Sequence, residues 1–121
     1  MANPFVHVEL QTTDLKKARD FYARLFDWKL EDAPVPGVGT YTMIGVGEGT
    51  GGGMMASPAP GVPSHWLAYV NVDDLASATR KAKELGAKVA VDITPVSDMG
   101  KFSVIIDPTG AMLGLWQTTR R

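Results

Sequence analysis

The chain has 121 residues, 45% of them hydrophobic and 21% charged, which suits one soluble domain with a core of its own. A formal net charge of −1 gives no electrostatic reason for nucleic acid or an anionic membrane as partner, and no apolar run approaches the roughly 20 residues that cross a bilayer. Cysteine is absent, which excludes disulfides, zinc–thiolate sites and thiol nucleophiles.

The start, "MANPFVHVEL", lacks the basic segment and apolar block of a secretory signal, so a cytoplasmic protein is expected. Val6, Val8 and Leu10 alternate with His7, Glu9 and Gln11, the period-two pattern of a strand whose faces meet different surroundings. The next segment, "TDLKKARDFYARL" over 13–25, spaces Leu15, Ala18, Tyr22 and Leu25 as one face of an amphipathic helix, with Thr13 or Asp14 as N-cap. Phe21, Tyr22, Phe26 and Trp28 are assigned to core beneath that helix. Strand-like runs follow in "WKLED", "TYTMIGV" and "GGMMAS". "GVGEGTGGGMM" over 45–55 lacks the Gly-Lys-Ser/Thr ending and the following helix of a phosphate loop. It reads as a hairpin leading into a glycine-rich strand that leaves space beside it, with control of access as a hypothesis.

After the proline-rich connector "SPAPGVPSH" the pattern recurs. A shift of 60 residues lays the first helix on "DDLASATRKAKEL", matching Asp14 to Asp74, Leu15 to Leu75, Ala18 to Ala78 and Leu25 to Leu85. Upstream Trp66, Ala68 and Val70 alternate with Leu67, Tyr69 and Asn71. Downstream Gly86 stops the helix, and "AKVAVDI", "KFSVIID" and "AMLGLWQ" read as strands. The expectation is α+β: a single domain over 1–121, with module one at about 4–57, a linker at about 58–63 and module two at about 64–118. Each module is strand, helix, then three strands, and the two curved sheets enclose a cleft.

In that arrangement Val6, Val8 and Leu10 pack on the helix, while His7, Glu9 and Gln11 face the cleft. The same parity turns Leu67, Tyr69 and Asn71 inward, joined by His65. Tyr41, Met43, Met54, Met112 and Trp116 are further lining candidates, a soft and aromatic wall that suits a small, mostly apolar organic ligand. His7 and Glu9 form a candidate acid–base pair.

The stretches "VHVELQTTDLKKARDFYARLFDW", "WLAYVNVDDLASATRKAKELGAKV" and "IIDPTGAMLGLWQ" together resemble the vicinal oxygen chelate superfamily, which includes glyoxalase I, extradiol dioxygenases and bleomycin-resistance proteins. The resemblance covers essentially the whole chain and implies paired βαβββ modules and a homodimer. In catalytic members it implies a divalent metal held by a His or Gln from the first strand and a Glu from the last strand of each module. His7 lies seven residues before Asp14, where the family's histidine stands. The matching place before Asp74 is Leu67, the acid place after Asp107 is Gly114, and its counterpart in module one is Gly53 or Met54.

One filled position in four leads to a metal-free small-molecule binder as the expected function, with no cofactor. The alternative is a lyase, isomerase or dioxygenase holding Zn, Ni, Mn or Fe through His7, Glu9 and His65. A third reading is a ferredoxin-like stress or scaffold domain with a vestigial cleft.

Overall fold

The computed structural model describes residues 2–35, 39–58, 60–96 and 98–119. Module one runs β1 (Phe5–Thr12), α1 (Leu15–Leu25), β2 (Lys29–Val35), β3 (Gly39–Gly45) and β4 (Gly52–Ala56). Module two runs β5 (His65–Asn71), α2 (Leu75–Glu84), β6 (Lys88–Val96), β7 (Gly100–Ile106) and β8 (Met112–Thr118). The protein is therefore α+β and built of two βαβββ modules. Strand order is β2-β3-β4-β1 in the first and β5-β8-β7-β6 in the second, with β1 parallel to β4 and β5 parallel to β8. Contacts group residues 7–67 as one compact unit and residues 1–6 with 68–121 as the other.

Both helices begin as their sequences require. The Asp14 and Asp74 carboxylates accept from the backbone N–H of Lys17 and Ser77, which satisfies one free donor in each first turn. Beyond α2, Gly86 takes a left-handed φ of 105°, where a Cβ would be strained. In the Asp-Pro-Thr-Gly turn before β8, Asp107 Oδ1 accepts from the N–H and hydroxyl of Thr109 and the N–H of Ala111, while Gly110 has φ +99°.

Each helix is fastened to its own sheet by apolar packing and one polar tie. Under α1, Leu10, Ile44 and Met54 meet Leu15, Ala18, Tyr22, Trp28 and Leu30. Asp32 accepts from the buried Thr42 hydroxyl at 2.7 Å and from Arg19 Nε at 3.2 Å, and these two bonds, Thr42 first, hold its carboxyl below the usual range. Under α2, Leu75, Ile105 and Leu115 form the core, and the Ser103 and Thr79 hydroxyls lie 2.9 Å apart. Thr79 gives its own proton to the Leu75 carbonyl, so Ser103 is the donor of that pair.

Three expectations about packing change. Met54 is a core residue with no exposure, packed on the helix face with its register partner Leu10 rather than lining the opposite face. Phe21 and Phe26 are 56% and 44% exposed. The sheet covers only the arc through Leu15, Ala18 and Tyr22, and Phe21 points about 100° round the helix from Tyr22. Val6, at the start of β1, is left 37% exposed. Met54→Ala should lower stability by about 2–5 kcal/mol in urea unfolding, because it removes a fully buried side chain and leaves a cavity. A loss of under half a kcal/mol would contradict this core assignment.

Candidate functional site

The face of β1 turned away from α1 carries His7, Glu9 and Gln11. Parallel pairing sets Glu9 across from Gly53 and Gln11 across from Met55 on β4, and antiparallel pairing sets Met55 across from Tyr41 and Gly53 across from Met43 on β3. Tyr41, Met43 and Met55 therefore share the face of Glu9. Met55 is the lining methionine that the sequence reading missed in favour of its neighbour Met54.

The polar groups on this face form one chain of hydrogen bonds. The Tyr41 hydroxyl donates to Glu9 Oε1 at 3.0 Å, and Gln11 Nε2 donates to Glu9 Oε2 at 2.8 Å. His7 Nε2 lies 2.7 Å from the same hydroxyl. The phenol has a single proton and spends it on Glu9, so His7 donates from Nε2. The imidazole and phenol rings are near parallel, at 21° with centroids 6.2 Å apart. Glu9 is only 8% exposed, and these donors satisfy a carboxylate that would be costly to bury alone.

The Tyr41 ring lies directly over Gly53. A Cβ at that position would run into Tyr41 Cε2 and its hydroxyl. At Gly53 the glycine-rich strand therefore leaves no open space beside it, contrary to expectation, because a ring from β3 fills it. Gly52 is glycine for another reason: a Cβ there would collide with the Val8 carbonyl on β1. On the helix side, the loop before β4 borders an apolar cavity of about 280 Å³ walled by Val8, Trp28, Ile44, Val46 and Trp66.

Module two repeats the frame with other chemistry. Tyr69 on β5 pairs with Gly114 on β8, and its ring covers that glycine as Tyr41 covers Gly53. Phe102 meets Tyr69 edge to face, and Asn71 and Phe102 are both register partners of Trp116, whose indole N–H donates to Thr118. Met112 is 46% exposed at the start of β8. His65 donates from Nδ1 to the Pro63 carbonyl at 2.9 Å, and its buried Nε2 has no hydrogen-bond partner among the described residues.

The family model for the glyoxalase/bleomycin resistance protein/dioxygenase superfamily matches residues 5–115. The chain belongs to that superfamily. It is 38% identical over 117 residues to CFP32 of Mycobacterium tuberculosis, provisionally named a glyoxylase, covering 93% of this chain and 45% of the relative. It is 26% identical to the anthracycline biosynthesis protein DnrV of Streptomyces peucetius, covering 90% of this chain and again 45% of the relative. The chain thus spans about half the length of these curated relatives. Methylmalonyl-CoA epimerase from M. tuberculosis superposes with a TM-score of 0.71 at 15% identity, covering 96% of this chain and 88% of that one, which shows the shared fold.

The superfamily's ion does not suit the residues that stand here. Its four ligand positions hold His7, Leu67, Gly53 and Gly114, the leucine is 2% exposed, and both glycines lie under tyrosine rings. Among the described residues no three His, Asp or Glu side chains gather as an ion would need, so His7, Glu9 and His65 do not form the alternative set. No helix among the described residues is long and apolar enough to cross a membrane.

Burial lowers the His7 pKa below 6.5, and the charge of Glu9 opposes that shift. The folded state then binds fewer protons than the unfolded chain at mildly acidic pH. Stability should be fully present above pH 6.5 and should fall as pH drops from there toward the folded pKa, with a slope of at most about 1.4 kcal/mol per unit. His7→Gln should flatten this part of a urea-midpoint profile. An identical slope in the variant would show that His7 is not its source.

Proposed function

We propose that the chain binds a small, mostly apolar or aromatic organic molecule on the module-one face bearing His7, Tyr41, Glu9 and Gln11, without a divalent ion. The linked quartet carries this reading. It offers fixed polar groups beside Met43 and Met55, the mixture by which a small-molecule site fixes orientation while apolar contact supplies affinity. His7, kept neutral near pH 7 by burial, can take a proton from a bound group, and Glu9 completes an acid–base pair. In this reading the protein works in the cytoplasm as a homodimer. The curated relatives, about twice as long, have room for a second unit of this size.

The second reading is a metal-dependent lyase, isomerase or dioxygenase. Superfamily membership supports it. The two are separated by metal analysis of the purified protein, followed by thermal shift with Zn²⁺, Ni²⁺, Mn²⁺ and Fe²⁺ and with aromatic acids, 2-oxo acids and a polycyclic quinone. The quinone enters the panel because of the anthracycline relative's name. Metal-free protein, an unchanged Tm with each ion, and a rise with an organic compound that Glu9→Gln abolishes are expected. Stoichiometric metal lost in His7→Ala would overturn the proposal, and no response to any compound would favour a scaffold domain.

A further inference from the structure

We infer that Tyr41 is the residue that sets this site against a metal ion. Its ring occupies the place of a carboxylate from position 53, and its hydroxyl engages the two atoms of β1 best placed to ligate. This deepens the metal-free reading above and rests on it.

The steric half of the argument lies in the glycine run. Gly51 and Gly52 are confined by backbone, since a Cβ would approach the Ile44 carbonyl to 2.6 Å in one case and collide with the Val8 carbonyl in the other. Gly53 is different: the nearest atoms to a Cβ there all belong to the Tyr41 side chain. The first obstacle at position 53 is thus one removable ring. The register places it across from Glu9, so an acid there would join Glu9 and His7 on one face of two neighbouring strands.

The chemical half lies in the bonds of the phenol. It accepts from His7 Nε2 at 2.7 Å and donates to Glu9 Oε1 at 3.0 Å, while Gln11 donates to Glu9 Oε2. An ion binding at about 2.0–2.2 Å would have to displace the hydroxyl from both residues and remove the proton from His7 Nε2. With no acid at 53, those lost bonds would have no third ligand to offset them.

Module two supports the steric half independently. There Gly114 lies under Tyr69, which comes from β5, whereas Gly53 lies under a ring from β3. Two rings reach equivalent glycines from different strands, so the pairing of tyrosine with glycine does not follow merely from repeating the fold.

The test uses the full chain with four variants: Gly53→Glu, Tyr41→Ala, the double variant Tyr41→Ala/Gly53→Glu, and the double variant with His7→Ala added. Zn²⁺ binding is measured by calorimetry and Co²⁺ binding by its visible absorption. The parent, Tyr41→Ala and Gly53→Glu should bind weakly, and the double variant at least 100-fold more tightly at one ion per chain. Adding His7→Ala should remove that gain. A folded double variant no tighter than the parent, or tight binding by Gly53→Glu with Tyr41 in place, would overturn the inference.

Should the double variant not fold, Gly53→Ala in the Tyr41 and Tyr41→Ala backgrounds decides. It should lower Tm in the first and leave the second unchanged, whereas equal effects would overturn the inference. A parent chain that itself takes up stoichiometric metal would instead refute the metal-free reading, so the two failures are distinguishable.

Discussion

The register of β1 on β4 is the constraint on which the candidate site depends. It places Leu10 across from Met54 and Glu9 across from Gly53, so one pairing builds the core below the sheet and the hydrogen-bonded quartet above it. Because strand side chains alternate, a slip of one residue would move Glu9 under α1 and Leu10 to the opposite face. The fully buried Met54 and the polar groups around Glu9 resist that slip from opposite sides. Stability of the helix layer and geometry of the polar layer are therefore not separable here.

Much of the frame was legible in the sequence because it rests on local chemistry. Asp14 and Asp74 sit 60 residues apart and perform the same cap, and Gly86 and the Asp107 turn act where their side chains, or lack of one, dictate. That His7, Glu9 and Gln11 share the face turned away from α1 was also readable, since Leu10 beside them is strongly apolar. Parity in β4 was not. "GGGMM" has no alternation, and two adjacent methionines give no reason to bury Met54 over Met55. Tyr41 appeared as a lining residue, but its bond to His7 spans 34 positions and depends on β3–β4 pairing. Nor could spacing show that the glycine at 53 answers to a ring while the glycine at 52 answers to a carbonyl.

The two modules show how a duplicated frame diverges without changing its connections. In the first, α1 is tied down by an exposed ion pair and a threonine, Arg19–Asp32–Thr42; in the second, α2 is tied down by the buried hydroxyls of Thr79 and Ser103. The place across from the covered glycine is Glu9 in one and Tyr69 in the other. Hence module one presents ionisable groups and module two an aromatic face of Tyr69, Phe102 and Trp116.

The ring resting on Gly53 also ties positions 41 and 53 to each other. While Tyr41 holds its position, every residue larger than glycine at 53 meets the ring at its first carbon. An acid at 53 and the ring at 41 therefore exclude one another, so exchanging either for the other takes changes at both positions, and neither single change completes the exchange.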